Sequence, residues 1–341
     1  MKLAIGASLD PKTGQPDIPF ILRAEELGYD SVWTAETWGL DGLSPLAFIA
    51  AHTRRIKLGT AVAHVDGRSA ATLAMTAQTI DALAGGGRMR LGIGMSGPQV
   101  AEGWHGRAWG RPNYRLRDTV AILRKVWSGE RVAHDGKEIQ LPYQGPGSSG
   151  LGKPIRNAFS PVAPIPLLIG AETPLNVRMT GEIADGLITF EGEPKQVAGW
   201  RPLLEEGFAR RGSRPEAFEL YSSVRVLETD DVKGAIEAEK KGVAMYIGGF
   251  GASSINFHRD AMAAKGYPDA ARRVQELFLA GRRDEAAEAV PDDYIDERML
   301  IGAPARIRER FGPWRDSGFT TLAIRTGNPD MLEMLAKENA G

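Results

Sequence analysis

The sequence predicts an α/β protein built as a closed barrel of eight parallel strands, the (β/α)8 or TIM barrel. Two observations lead to this class. Short apolar runs alternate with helical stretches eight times along the chain, and its 341 residues exceed the about 250 that such a barrel needs. A doubly wound open sheet is the competing fold, but it would more naturally stop at about five or six strands. We therefore expect one barrel domain that spans residues 1–341.

The strand-like segments are short apolar runs, most of them followed by Gly, Pro or polar residues. We place the eight strands at residues 2–7, 29–35, 56–63, 89–94, 166–171, 185–190, 218–227 and 320–326. Each is followed by a stretch with apolar residues at helical spacing, which predicts the alternating helices of the barrel.

Helix starts and two insertions complete the predicted order. Ser44-Pro45 and Thr173-Pro174 each offer an N-cap followed by proline, the pair favoured at the start of a helix. Residues 129–165 are rich in Gly and Pro and predict an excursion without regular elements. Residues 232–311 predict a long, mostly helical segment, so the length beyond a minimal barrel lies in these two insertions.

Composition excludes several functional classes. The chain has 42 Lys and Arg against 43 Asp and Glu and no basic run, so we expect no nucleic-acid partner. It has no cysteine, which excludes disulfides and thiol nucleophiles, and its five histidines form no metal-binding motif. Without a signal peptide or a long apolar stretch, we expect a cytoplasmic protein that does not enter membranes.

A Gly-rich motif follows the fourth strand. Gly92-x-Gly94-x-x-Gly97 has the spacing of a Rossmann dinucleotide site. That site needs a helix directly after the third glycine and an acidic residue about 20 positions later at a strand end. Pro98 and the glycines beyond it instead predict a loop, and Asp118 falls within a helical stretch. The motif is therefore either a strand-end loop without a ligand or a loop that binds phosphate in another fold.

Functional residues of such barrels lie at the C-terminal ends of the strands. Candidate catalytic residues in these positions are Glu36, Thr37, His64 and His105. Glu36 and Glu191 could form a carboxylate pair, but the low aromatic content of 7% argues against a glycosidase. The mouth is instead apolar and glycine-rich, which suits a cofactor that brings its own reactivity.

Four blocks carry a resemblance to a known family. They are SGPQVAEGWHG at 96–106, LPYQGPGSSGLGKP at 141–154, GEIADG at 181–186 and LIGAPARIRER at 300–310. With these blocks the chain resembles the bacterial luciferase-like superfamily, and more closely its coenzyme F420-dependent branch, which includes the methylenetetrahydromethanopterin reductase-like oxidoreductases. The resemblance covers nearly the whole chain. It implies hydride transfer between this deazaflavin and a small organic substrate, in a homodimer or higher homo-oligomer.

The resemblance also implies which residues hold the coenzyme. In the family a non-prolyl cis peptide supports the deazaflavin ring, and the matching segment is Ala61, Val62 and Ala63. Two loops clasp the phosphate-bearing tail, and they match Ser96, Gly97, Pro98, Gln99 and Val100, and Gly170, Ala171, Glu172, Thr173 and Asn176. Backbone N–H groups of such loops and a helix start at Thr173 suit an anion. We expect Glu172 to turn outward, because its carboxylate would repel a phosphate.

The acid–base residues of the family do not carry over. Members often have Asp-His after the second strand, where this chain has Glu36-Thr37, and a relative's Glu after the fourth strand is replaced by Pro98. Glu36 could act as a general acid if burial raised its pKa. His64 follows the third strand and could hydrogen-bond near the ring, and His105 is a candidate residue of the mouth.

The sequence leaves two roles for three tryptophans and two alternative functions for the protein. Trp38, Trp104 and Trp109 could wall the substrate pocket or pack the loops. The rival functions are an FMN-dependent luciferase-like monooxygenase and a flavin-binding paralogue without catalysis.

Overall fold

The protein is described by a computed structural model that covers residues 1–189, 192–249 and 256–341. Among these residues, eight parallel strands close into a barrel, which confirms the predicted fold class. The barrel strands are β1 (Lys2–Gly6), β2 (Ser31–Thr34), β3 (Lys57–Thr60), β5 (Met89–Gly94), β10 (Leu167–Gly170), β11 (Gly186–Ile188), β12 (Glu219–Glu228) and β14 (Thr321–Arg325). They pair in that order, and the β1–β14 pair closes the circle.

Helices cover the outside of the barrel and extend it. They are α1 (Ile18–Glu26), α2 (Ser44–His52), α3 (Ala70–Leu83), α4 (Pro98–Gly103), α5 (Pro112–Trp127), α6 (Pro174–Ile183), α7 (Gln196–Arg211), α8 (Val232–Gly249), α9 (Phe257–Ala264), α10 (Pro268–Leu279), α11 (Arg283–Glu288), α12 (Asp292–Asp296), α13 (Pro304–Arg315) and α14 (Pro329–Ala340). Proline stands in the first turn of α2 and α6, as predicted, and Thr173 is the N-cap of α6. The prediction that Ser44 is the N-cap of α2 is wrong, because the helix already begins at Ser44 and Leu43 precedes it as the cap. None of the helices in the described ranges is long and apolar enough to cross a bilayer.

Aromatic rings fill the barrel interior. Trp33 of β2 and Tyr221 of β12 lie with ring centroids 4.5 Å apart among small and aliphatic side chains of the other strands. A Cβ atom at Gly59 would lie 2.3 Å from the Trp33 ring, so β3 must carry glycine there. Ala61 and Val62 pack on this inner cluster from the mouth side, which puts the end of β3 directly above the filled core.

The third strand is interrupted. It was predicted as one run over 56–63, but β3 ends at Thr60, and β4 (Ala63–His64) continues it beside β5. Between the two pieces the Ala61–Val62 peptide bond is cis, which confirms the expected non-prolyl cis peptide.

The prediction of a loop directly after Gly97 is wrong. Gly97 has extended backbone angles and caps α4, with Pro98 in its first turn. A proline at the first helical position is already set for the helix, and this outweighed the glycines further along. Asp118 lies inside α5, as predicted. A dinucleotide site of the open-sheet type is therefore excluded by the closed barrel rather than by a missing helix.

The excursion at residues 129–165 contains short strands, where none were expected. They are β6 (Arg131–Val132), β7 (His134–Asp135), β8 (Gln140–Leu141) and β9 (Ile155–Arg156), paired β6–β9 and β7–β8. Two-residue strands are too short to show an alternating pattern. The Asp118 carboxylate of α5 accepts the backbone N–H groups of Glu138 and Ile139 at 2.7 and 2.9 Å, which anchors the excursion to the barrel.

A helical lobe follows β12. Helices α8 to α12 surround a hydrophobic core of their own, which includes Ile247, Met262 and Val274. The prediction of a mostly helical segment missed β13 (Met299–Gly302), which pairs with the C-terminal half of β12. A four-residue apolar run cannot be distinguished from a buried helical turn by periodicity alone. That residues 1–341 form one domain stays a prediction.

Candidate functional site

An apolar surface lies at the barrel mouth, where β3, β5 and β10 end. Val62 sits between two glycines: a Cβ atom at Gly94 would lie 2.6 Å from Val62 Cγ2, and one at Gly170 would lie 3.2 Å from Val62 Cγ1. Ala61 and Val62 are half-buried and supported from below by the inner aromatic cluster. We call Ala61, Val62, Gly94 and Gly170 the Val62 platform. No long side chain projects from these four residues.

The glycines of the Gly-x-Gly-x-x-Gly motif shape this platform. A Cβ atom at Gly92 would lie 1.9 Å from the Thr60 carbonyl oxygen, and the Thr60 hydroxyl donates to the Gly92 carbonyl oxygen at 2.7 Å. Gly94 makes room for Val62, and Gly97 caps α4. The first two glycines therefore serve close strand packing, a role that their spacing alone did not indicate.

Two helices begin beside the platform. Helix α4 follows β5, and α6 follows its neighbour β10. Thr173 caps α6 by accepting the Asn176 backbone N–H at 3.4 Å. Asn176 Oδ1 is buried and has no hydrogen-bond partner among the described residues. Because an asparagine amide carries an NH2 group beside its oxygen, this side chain offers both a donor and an acceptor at the start of α6.

The remaining predicted coenzyme contacts lie around these helix starts. Ser96, Gly97, Pro98 and Gly170 are half-buried, Val100 and Ala171 are buried, and Gln99 and Thr173 are exposed. Ala63 is buried within β4. The structure thus brings both predicted loops to one side of the mouth, on the adjacent strands β5 and β10.

The expectation that Glu172 turns outward is wrong. Its Oε1 accepts the Thr189 hydroxyl and its Oε2 accepts the Gln196 amide at 3.0 Å, so the half-buried carboxylate bridges the residue after β11 and the first residue of α7. The uncharged hydroxyl and amide donors therefore stabilise the Glu172 carboxylate within the protein. The sequence could not show this, because the partners lie 17 and 24 residues away.

Glu36 is held by a cation and by backbone groups. Arg68 contacts both of its carboxylate oxygens at 2.8 Å, and the N–H groups of His64 and Gly42 donate at 2.8 and 3.2 Å. Burial alone would raise the pKa of Glu36, but these hydrogen bonds and the charge of Arg68 outweigh it and lower the pKa. The raised pKa on which a general-acid role of Glu36 depended is therefore absent, and Glu36 is an ionised group that supports the backbone at His64.

Two imidazoles meet beside the mouth. The rings of His64 and His105 lie with centroids 5.8 Å apart in an edge-to-face arrangement. His64 is buried, and its burial lowers the pKa of its imidazole against the opposing effect of Glu36. His64 Nδ1 and His105 Nε2 are both buried without a hydrogen-bond partner among the described residues. Such atoms are rare in folded proteins and mark a place where a ligand or water can bind.

A cleft opens next to the imidazole pair. It has a volume of about 290 Å³ and is lined by Trp38, Gln99, Val100, Gly103, Trp104 and Gly249. Thr37 is exposed beside Trp38, and Trp109 is half-buried outside the lining. Of the three tryptophans considered from the sequence, two therefore wall a pocket.

Most of the chain matches a known family model. The model, described as luciferase-like monooxygenase, matches residues 15–321. This chain belongs to the luciferase-like monooxygenase family. The predicted resemblance to the luciferase-like superfamily is thereby confirmed.

Relatives of this luciferase-like protein match along almost their full length. A Mycobacterium tuberculosis protein assigned as a coenzyme F420-dependent oxidoreductase is 39% identical over 320 residues, covering 93% of this chain and 92% of the relative. The 5,10-methylenetetrahydromethanopterin reductase of Archaeoglobus fulgidus is 27% identical over 327 residues, covering 94% and 93%. The solved structure of the coenzyme F420-dependent tetrahydromethanopterin reductase from Methanopyrus kandleri superposes with a TM-score of 0.74 at 20% identity, covering 99% and 97%. This last likeness shows the fold.

Sequence reasoning missed some residues of this luciferase-like site. Arg68 follows the third strand at a position where chemistry is expected, but nothing in its spacing connects it to Glu36, 32 residues earlier. Gly249, at the end of α8, reaches the cleft from the lobe whose position could not be predicted. Glu191, considered as a partner for Glu36, lies outside the described residues.

Proposed function

We propose that this luciferase-like protein is a coenzyme F420-dependent oxidoreductase, which transfers a hydride between the coenzyme and a small organic substrate. The observation that carries the proposal is the Val62 platform: a half-buried apolar surface, bordered by glycines, where the family resemblance expects the deazaflavin ring. The 39% identity to the Mycobacterium tuberculosis relative over almost the whole chain supports it.

The residues at the mouth fit such a coenzyme. A planar ring can approach the platform closely, because Gly94 and Gly170 have no side chains. The start of α6 offers a positive dipole end, and the side-chain NH2 group of Asn176 can donate there to a phosphate oxygen. Ala61, Val62 and Ala63 would support the ring. The segment from Ser96 to Val100 and the segment from Gly170 to Asn176 would hold the phosphate-bearing tail.

The residues of the chain position the groups at the mouth and supply a proton. A bound deazaflavin exchanges a hydride at its ring and reacts poorly with oxygen. Glu36 is ionised and saturated by Arg68 and backbone donors, so it is a positioning residue for the His64 backbone. His64 Nδ1 and His105 Nε2 are the described buried groups that can hold or deliver a proton at the mouth. Thr37, which is exposed, contributes at most a contact to substrate.

A side-by-side fluorescence titration with oxidised coenzyme F420 and FMN tests this proposal. We expect saturable binding of coenzyme F420 and at least tenfold weaker binding of FMN. The reduced coenzyme should then be consumed by an electron-poor acceptor in the absence of oxygen.

The two rival functions give different results in the same assay. An FMN-dependent monooxygenase, which the family description favours, would bind FMN more tightly and consume oxygen with reduced flavin. A non-catalytic paralogue would bind one of the two molecules and turn over no acceptor. Either result would overturn the proposal.

A further inference from the structure

We infer that Arg115 and Asp66 are positioning residues that hold the imidazoles of His64 and His105 against each other at the barrel mouth. The inference rests on the proposed function, which makes these imidazoles the groups that hold or deliver a proton, and it adds the residues that fix their geometry. The two rings come from different segments of the chain, His64 from β4 and His105 from the turn after α4. A contact between these segments is therefore needed to keep the rings together.

Arg115 of α5 joins the two segments through one buried guanidinium. Its Nη1 donates at 2.6 Å to the carboxylate of Asp66, two residues after His64. Its Nη2 donates at 2.6 Å to the carbonyl oxygen of Ala108, three residues after His105. The side chains of Arg115 and Asp66 are 9% and 1% exposed, so solvent screens this ion pair little. The planar guanidinium fixes the directions of both hydrogen bonds, and thereby the spacing of the two segments.

Two glycines allow the segments to approach each other. A Cβ atom at Gly67 would lie 3.2 Å from His105 Cε1, so this imidazole packs on the chain just after β4. A Cβ atom at Gly110 would lie 3.0 Å from Arg115 Nη2 and 2.5 Å from Glu138 Oε2. Gly110 has a φ of +57°, which glycine adopts at no steric cost. The imidazole and the guanidinium therefore both lie against backbone that carries no side chain.

Packing rather than hydrogen bonding orients the two imidazoles. Nδ1 of His64 and Nε2 of His105 are buried without a hydrogen-bond partner among the described residues, so no hydrogen bond at these atoms fixes either ring. The edge-to-face contact, with ring centroids 5.8 Å apart, therefore depends on where the two segments lie. Since a misplacement of about 1 Å can slow a catalysed reaction about a hundredfold, the bridge through Arg115 controls how well the pair is placed for proton transfer.

The NOE between the ring C–H protons of His64 and His105 tests the inference on the coenzyme-free chain. The chain has five histidines, so isotope-labelled histidine gives few signals, and the His64→Gln and His105→Gln variants assign them. We expect a ring–ring NOE in wild type and its loss in Arg115→Met, which makes neither hydrogen bond. Arg115→Lys keeps a cation beside Asp66 and should fold. It lacks the fork that reaches two acceptors, so we expect it to lose at least half of the NOE intensity.

Arg90→Met is the matched control. Arg90 lies near the start of β5, away from the mouth, and pairs with Glu219 at 3.3 Å, with both side chains 11% exposed. This variant also breaks a buried ion pair, so it should lose a similar amount of stability in urea denaturation to Arg115→Met while it keeps the full NOE intensity. Three results overturn the inference: no NOE in wild type, an NOE that Arg115→Lys leaves unchanged, or an equal loss in Arg90→Met.

A fluorescence titration with coenzyme F420 on the same samples separates this inference from the proposed function. If coenzyme F420 binds but the NOE does not depend on Arg115, only the positioning role is wrong. If the NOE depends on Arg115 as expected but coenzyme F420 does not bind, the proposed function is wrong and the positioning of the imidazoles remains.

Discussion

Among single residues, the Glu36–Arg68 ion pair holds the backbone in place beside the barrel mouth. Both side chains are largely buried, at 7% and 19% exposure, and the Glu36 carboxylate also accepts the backbone N–H of His64. One carboxylate therefore connects the end of the second strand to the piece of chain that follows the cis peptide. Removing it leaves a buried guanidinium whose remaining ion pair within the described residues is with Asp41, at 3.4 Å.

We predict that Glu36→Gln lowers the free energy of unfolding by about 2 kcal/mol at pH 7, measured by urea denaturation. Because the folded-state pKa of Glu36 is lowered, its contribution is full above its ordinary value of 4.5 and is lost as the pH falls through the folded-state pKa. The two proteins should therefore converge in acid. Glu206→Gln, which breaks a surface pair with Arg178, is the control and should change stability little. A pH-independent difference would contradict the prediction.

We predict that the His64 imidazole titrates below its ordinary pKa of 6.5, because burial disfavours its charged form. NMR spectra of the ring C–H protons recorded against pH measure this, and the His64→Gln variant identifies the resonance by its loss. A midpoint at or above 6.5 would show that the carboxylate of Glu36 dominates instead.

The sequence predicted where the chemistry lies but not how each side chain is used. His64 and His105 were selected because they follow strand ends, and the structure brings their rings together. Glu172 and Glu36 were also selected, yet each is satisfied by partners that lie between 6 and 32 residues away in the chain. Strand-end position is encoded locally, whereas hydrogen-bond partners depend on the folded arrangement.

At the scale of elements, the contact between β3 and β5 sets the shape of the mouth. Gly92 and Gly94 allow β5 to lie against the Thr60 carbonyl oxygen and the Val62 side chain. Their spacing matches a nucleotide-binding motif, but their surroundings explain them as packing glycines. The short helix α4 then starts at Pro98, so the same segment provides both a strand edge and a helix start.

We predict that Gly92→Ala lowers the free energy of unfolding by about 3 kcal/mol or more, since its Cβ atom would overlap the Thr60 carbonyl oxygen. The control is Gly103→Ala in α4, where a Cβ atom meets nothing within 4 Å. It should be neutral or up to about 1 kcal/mol more stable, because alanine favours the helix. Equal stability of the two variants in urea denaturation would contradict this interpretation.

We predict that Asn176→Ala weakens coenzyme F420 binding about tenfold, because it removes a side-chain NH2 group that can donate to phosphate at the start of α6. Leu175→Ala, at the neighbouring and 60% exposed position, should leave the affinity unchanged. Fluorescence titration measures both. An unchanged affinity of Asn176→Ala would place the tail elsewhere.

For the whole molecule, eight alternating strand and helix patterns were enough to predict a closed barrel. The lobe of α8 to α12 and the short strands of the excursion were not predictable in detail, because their apolar residues pack on each other or on α5 over long sequence distances. Gly249, at the end of α8, lines the cleft together with Trp38 and Trp104. Assembly into a homodimer or higher homo-oligomer stays a proposal, and sedimentation at a multiple of the chain mass would support it.

Under the proposed function, the deazaflavin ring lies on the Val62 platform. A crystal structure of the chain soaked with coenzyme F420 decides whether it does. We predict density for a planar ring over Ala61 and Val62, with the phosphate at the start of α6. A ring bound at any other place, or a platform covered by protein side chains in the complex, would exclude this binding mode.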